Sequence, residues 1–206
     1  MPNPSEANPG EFARASPAPR VRVPSPKDAE RLAEINLVTW RHAYAGIVPA
    51  GYLETLDPGR LRDRWLERIQ DPPRERVCFV AEVDDVVAAY SIGGGYRVQQ
   101  DAEHEDTAGW GELYALYTHP DYQGRGAGQA AQSVLLAALA ERGCSVAALW
   151  MLRDNDRTRR WYVDRGWRLD GATSLWLGAG EPLVEVRLTR LLSTPQDVVQ
   201  GSAPPG

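Results

Sequence analysis

Six residues, Gln123-Gly124-Arg125-Gly126-Ala127-Gly128, stand between a β-rich stretch and a long helical one and restrict this chain more than any other feature. Glycines at alternate positions allow positive φ and let another molecule approach the backbone closely. The helix that follows starts with N–H groups that have no partner within the helix, and with the positive end of its dipole. Strand, turn and helix together make a cradle for a pyrophosphate, to which the Arg125 guanidinium can add charge-assisted bonds. A tight strand-to-helix turn that binds nothing would use the same glycines. Gly126-Ala127-Gly128-Gln129-Ala130-Ala131 also fits the dinucleotide pattern, with Asp154 after the next strand. A doubly wound nucleotide domain opens with that unit and repeats it. Here it lies mid-chain, with only about 40 folded residues after the next strand, so that reading is set aside. A Walker A loop is excluded because no Gly-Lys-Ser or Gly-Lys-Thr occurs.

The chain has 206 residues, enough for one domain with a full core. Residues 1–19 are rich in Pro, Ala, Ser and Asn and predict a disordered tail; residues 193–206 predict a second loose one. The folded domain is expected over 20–192. No apolar run approaches the roughly 18 residues of a membrane helix. The N-terminus lacks an apolar stretch behind a basic start, so a cytoplasmic location is expected and no membrane partner. The net charge of −5 argues against nucleic acid as a partner, since phosphate binding needs a basic surface. Cys78 and Cys144 stand in apolar contexts and read as buried thiols. No Cys/His cluster has metal-ligand spacing, so no metal is expected.

The folded part alternates strand and helix signals. Arg20–Val23 is a short strand. Ser25-Pro26-Lys27-Asp28 opens a helix running to about Ala43, with Ser25 accepting from the Asp28 amide. A second helix covers 58–70, closed by Pro72-Pro73. Val77–Val83 and Val86–Ile92 form a hairpin through Asp84-Asp85. A loop, glycine-rich then acidic, is expected over 93–109. Glu112–Thr118 is a strand, Gly126–Arg142 a helix ended by Gly143, Val146–Leu152 a strand and Asp154–Arg165 a helix. Trp167–Leu169 and Leu183–Leu191 are the last strands. The order is β-α-α-β-β-β-α-β-α-β-β, a mixed α/β domain.

With these elements in place, the chain resembles the GCN5-related N-acetyltransferase (GNAT) superfamily. Its signature R/Q-x-x-G-x-G/A is matched by Gln123 to Gly128, after Leu116-Tyr117-Thr118-His119-Pro120. Its next helix region begins with an asparagine, has a tyrosine seven residues on and then a Gly-Phe-like pair; here these are Asn155, Tyr162 and Gly166-Trp167. Residues 40–53 resemble the loop between the first two helices of small bacterial members. The resemblance covers about 21–191. It implies a mixed central sheet of about six or seven strands with helices on both faces. It implies acetyl-CoA as co-substrate, with its pyrophosphate on the amides of Gly124, Arg125, Gly126, Ala127 and Gly128, continuing to Gln129. The pantetheine arm would pair with the strand at Leu116, Tyr117 and Thr118, as an added strand does. Asn155 would hold the arm from the other side and Tyr162 would lie near the sulfur. Some protein N-terminal acetyltransferases of the superfamily carry a glutamate five residues before the asparagine; here that residue is Trp150.

The implied reaction is acetyl transfer to a primary amine of a small molecule or a peptide, by direct attack in a ternary complex. A non-catalytic acyl-CoA sensor on the same fold is the alternative, and homodimerisation is compatible with either. An alkylammonium must lose a proton before it attacks, and the departing thiolate benefits from a donor. Tyr162 is the candidate acid. Glu112 is the candidate base, placed by period-two alternation on one face with Tyr114 and Leu116. His119 reads as a turn residue. Trp40 and Tyr44 are candidate walls of the acceptor pocket. The acids Asp101, Glu103, Glu105 and Asp106 would favour a cationic acceptor by raising its local concentration.

Overall fold

The computed structural model describes residues 17–98 and 106–193. Most of both expected tails, and Asp101, Glu103 and Glu105 of the acidic run, lie outside the described residues.

Five helices and seven strands follow in the order β1 (Arg20–Arg22), α1 (Ala29–Ala43), α2 (Ala50–Glu54), α3 (Pro58–Gln70), β2 (Arg76–Val83), β3 (Val86–Gly95), β4 (Trp110–Thr118), α4 (Ala127–Glu141), β5 (Val146–Leu152), α5 (Asp156–Val163), β6 (Arg168–Trp176) and β7 (Leu183–Leu191). The strands form one sheet in the order β1-β2-β3-β4-β5-β7-β6. The single parallel pair is β4 with β5; the rest are antiparallel. α1 and α3 cover one face, where Leu32, Ile35 and Trp65 pack on Val80 and Tyr90. α4 and α5 cover the other, where Leu135, Leu139 and Tyr162 pack on Leu113, Leu149 and Leu188. Leu135 and Leu139 are fully buried, and burial of side chains this size stabilises by about 1.5–3 kcal/mol each. None of the described helices is long and apolar enough to cross a membrane.

The helix ends follow local chemistry. Asp57 caps α3 by accepting from the Arg60 amide at 2.7 Å, with Pro58 preset for the first turn. Gly143, at φ 86°, ends α4. At the hairpin, Asp84 and Asp85 both take positive φ (51° and 61°), as a tight two-residue turn between antiparallel strands requires.

Several sequence expectations are corrected. Before α1, residues Pro26–Asp28 form a 3-10 turn and not the first helical turn. There Ser25 and Asp28 form a reciprocal capping box, in which the Asp28 carboxylate accepts from Ser25 N (2.7 Å), from Ser25 Oγ (2.8 Å) and from the Arg22 guanidinium. No sequence signal marks the short helix α2, whose five residues hold too little periodicity to register. β3 runs on to Gly95 in place of the loop expected from 93, because Gly93 and Gly94 lie where side chains would collide. A Cβ on Gly93 would stand 2.6 Å from the Glu112 carbonyl, and one on Gly94 would stand 2.5 Å from that of Glu75. β6 extends to Trp176, well past Leu169, because it pairs along β7.

Candidate active site

The β4–β5 pairing covers only Trp110–Glu112 against Val146–Ala148. Beyond that point β5 keeps its partner β7 as far as Leu152, and β4 keeps β3 as far as Thr118. The two strands therefore splay, and the edge of β4 from Leu113 to Thr118 faces a gap. A cavity of about 490 Å³ fills the gap, lined by both strands, by the turn after β4 and by α5.

The glycine turn stands at one end of this cavity. Gly124 and Gly126 take φ of 77° and 83°, which favour glycine. Gly126 ends the turn, and its carbonyl accepts the Ala130 amide at 2.9 Å. The amides of Ala127, Gly128 and Gln129 precede that bond, at the positive end of α4. Gly124, Gly126, Ala127, Gly128 and Gln129 all line the cavity. Arg125 does not. Its guanidinium pairs with Asp84 of the β2–β3 hairpin and stacks 5.6 Å from the Tyr122 ring. Arg157 and Arg165 do line it, and Arg157 donates to Gln123 Oε1 at 2.9 Å. No sequence signal singles out either, because the charge-rich run from Asp156 to Arg165 reads as a solvated helix face.

Asn155 is buried at the start of α5, where its Oδ1 accepts the Thr158 amide at 3.2 Å. Tyr162, 6% exposed, lies two turns on and also lines the cavity. Its ring packs against Trp161 and Trp167, with centroids 5.1 and 5.6 Å away. Burial pushes its phenol up, so the group stays protonated.

Glu112 is the main correction. β4 carries a bulge where Ala115 and Leu113 face Ile92 and Gly93, so Tyr114 is an extra residue. Past it the alternation inverts. Leu113 and Leu116 both pack toward α4, while Ala115 and Tyr117 join the cluster under α1 and α3. Glu112 and Leu116 thus lie on opposite faces. The Glu112 carboxylate is 1% exposed and accepts from the Arg97 amide (2.9 Å), Nε (3.2 Å) and Nη2 (2.5 Å). It does not line the cavity.

Tyr117 uses its backbone on the β4 edge and its ring on the other side. Its hydroxyl accepts from Trp40 Nε1 at 3.0 Å and is also bonded to Tyr44. Tyr44 lines the cavity beneath Trp40, at 4.8 Å between centroids, and burial raises its phenol to about 12. A second carboxylate, which also does not line the cavity, influences the Tyr44 phenol. Glu185 of β7 stands opposite Leu152, half-buried, with no hydrogen-bond or ion-pair partner among the described residues. Burial raises its pKa, Arg97 opposes the rise and Glu112 adds to it. No sequence signal marks it, since β7 alternates apolar and charged residues as an edge strand would. His119 holds the turn, its Nδ1 accepting the Asp121 amide at 3.3 Å. Asp106 is exposed and accepts the Ala108 amide.

The comparisons agree with this architecture. An uncharacterised N-acetyltransferase, YuaI, of Bacillus subtilis is 27% identical over 135 residues, 66% of this chain and 72% of its own. The PaiA N-acetyltransferase of Thermoplasma acidophilum, solved with coenzyme A, superposes with a TM-score of 0.62 at 17% identity, over 85% of this chain and 99% of its own. The yncA protein of Salmonella typhimurium, solved with its cofactor acetyl-CoA, gives 0.61 at 19% identity, over 92% and 99%. The model of the acetyltransferase (GNAT) family matches residues 37–167. With the splayed strands, the glycine turn and that match together, the chain belongs to the GNAT family of acetyltransferases.

Proposed function

We propose that this protein transfers the acetyl group of acetyl-CoA to a primary amine by direct attack within a ternary complex. The observation that carries the reading is the splay of β4 from β5 beyond Glu112 and Ala148, which leaves a free strand edge aimed at the helix-N-terminal amides. Coenzyme A has a pyrophosphate for those amides and an amide-bearing arm that can extend the β4 edge by strand addition. Relatives solved with coenzyme A or acetyl-CoA share the fold. Arg157 takes the phosphate-pairing role expected of Arg125, whose charge is already matched by Asp84. Asn155 closes the arm from the α5 side.

Tyr162 acts on the leaving sulfur. A thiol has a pKa of about 8.5 and a free phenol about 10. Burial raises the Tyr162 phenol further, so complete transfer of its proton to a free thiolate runs uphill. Its role is then a hydrogen bond donated to sulfur as the C–S bond breaks. The nitrogen of the attacking amine becomes cationic as the C–N bond forms, and that proton must leave. Glu112, held by three bonds from Arg97, is poorly placed to accept it. Glu185 has no partner among the described residues, its pKa is raised and it influences the Tyr44 phenol from outside the cavity lining. Glu185 is therefore our candidate proton acceptor, directly or through water. Release of free thiol from acetyl-CoA in a screen of amines tests the proposal. Saturable acetyl-CoA binding with no turnover on any amine would favour a sensor instead.

A further inference from the structure

A second cavity of about 490 Å³ opens on the α3 face of the sheet, between α3, the Pro72-Pro73 loop, and β2, β3 and β4. Its floor is apolar and aromatic, with Trp65, Ile69 and Ile92 among its residues. Three guanidinium groups, those of Arg68, Arg76 and Arg97, also line it, and none of the described lining residues is acidic. This is a local excess of positive charge in a chain of net charge −5.

Only one of the three charges is matched. Arg97 is paired with Glu112. Arg68 and Arg76 have no carboxylate partner among the described residues; each meets an aromatic face instead, Arg68 at 5.7 Å from the Trp65 centroid and Arg76 at 5.6 Å from that of Tyr114. For the half-buried Arg68 such a contact offsets part of the desolvation cost. Burial, with Arg64 and Arg76 nearby, disfavours the charge of Arg68 and lowers its pKa. An anion would relieve that cost, and the two guanidiniums can each donate a fork of N–H groups to a carboxylate. Cys78 in the wall is no rival anion, because burial pushes its thiol up to about 12 and keeps it neutral.

We propose that this cavity binds a molecule with an apolar or aromatic body and a carboxylate, the acid held by Arg68 and Arg76 and the body on Trp65 and Ile92. Tyr114 and Ala115 line both cavities, one on either side of the β4 bulge. The carboxylate can therefore belong to the acceptor itself or to a separate molecule. The inference rests on the acetyltransferase reading only for the choice between those sources.

The experiment is calorimetric titration of the full chain, without acetyl-CoA, with 4-phenylbutyrate and with its neutral amide. The expected result is saturable binding of the acid and at least about tenfold weaker binding of the amide. Arg68→Gln is expected to weaken the acid by about tenfold or more, and Arg68→Lys to restore most of the loss, with melting temperature as the check on folding. Equal binding of acid and amide, no saturation into the millimolar range, or an undiminished affinity in Arg68→Gln would overturn the proposal. The source is read from acetyl transfer to phenylalanine and to 2-phenylethylamine, which differ by the carboxylate. A loss of kcat/KM in Arg68→Gln for phenylalanine alone assigns the cavity to the acceptor's acid. A change in kcat on adding 4-phenylbutyrate, without competition against the amine, assigns it to a separate molecule. If no amine is acetylated, the binding result still stands, and the failure belongs to the acetyltransferase reading.

Discussion

A Cβ built on Gly128 stands 2.6 Å from Thr118 Oγ1, closer than side-chain carbons approach real neighbours. The first turn of α4 is thereby pressed against the end of β4, and the cradle amides sit beside the free strand edge. Gly128→Ala must turn the Thr118 hydroxyl away or push the two apart. We expect acetyl-CoA affinity to fall by about tenfold or more, with a change in melting temperature that reports the strain separately. Gly126→Ala, forced to φ 83°, should cost about 1–2 kcal/mol of stability. Calorimetry and thermal melts check both; wild-type acetyl-CoA affinity in a folded Gly128→Ala would remove this turn from the site.

The arginines make a sharper comparison. Arg157 lines the cavity and Arg125 is held by Asp84. Arg157→Ala should raise the Kd for acetyl-CoA several-fold more than Arg125→Ala. The reverse order would mean that Arg125 leaves Asp84 when the cofactor arrives.

Tyr162→Phe removes one hydroxyl from a packed ring. Cofactor affinity should stay within a few-fold while kcat falls by roughly 10²–10⁴, the range for losing a positioned proton donor. An unchanged kcat would assign the ring to packing against Trp161 and Trp167 alone.

The two carboxylates separate by different readouts. Glu185→Gln should lower kcat/KM by about 10² or more with little loss of stability. Because the Glu185 pKa is raised, its basic form is lost as pH falls through a value above the usual carboxylate range, and the variant should lose that acidic limb of the profile. Glu112→Gln should mainly lower the melting temperature, since it leaves Arg97 without its buried partner. Full activity in Glu185→Gln would exclude it as the proton acceptor.

Asp28 governs acid stability. Its carboxylate is held at about 2, chiefly by the Arg22 guanidinium and then by the Ser25 bonds, against the opposing effect of burial. Its folded pKa lies below its unfolded one, so its stabilisation is complete above about pH 4 and is lost as pH falls toward 2. Asp28→Asn should destabilise by about 1–3 kcal/mol at neutral pH. The gap between variant and wild type should close on acidification, as thermal melts across that range would show.

Local chemistry alone was enough to read the turn, the hairpin and most helix limits. Glycines at 124 and 126 sit at positive φ, Asp84-Asp85 is a tight turn, and Pro72-Pro73 follows the end of α3, all because backbone constraints act within a few residues. The seven-residue offset of Asn155 and Tyr162 placed both at one cavity, since a helix fixes that distance by itself. Tertiary structure decided the rest. Only the β3 register shows that Tyr114 is an extra residue, and that single bulge turns Glu112 away from Leu116. Only the folded hairpin brings Asp84 to Arg125, 41 positions away in the chain. Glu185 becomes a half-buried carboxylate, unpaired among the described residues, only because β7 inserts between β5 and β6. A period or a spacing describes one segment, whereas pairing and burial depend on which distant segment lies beside it.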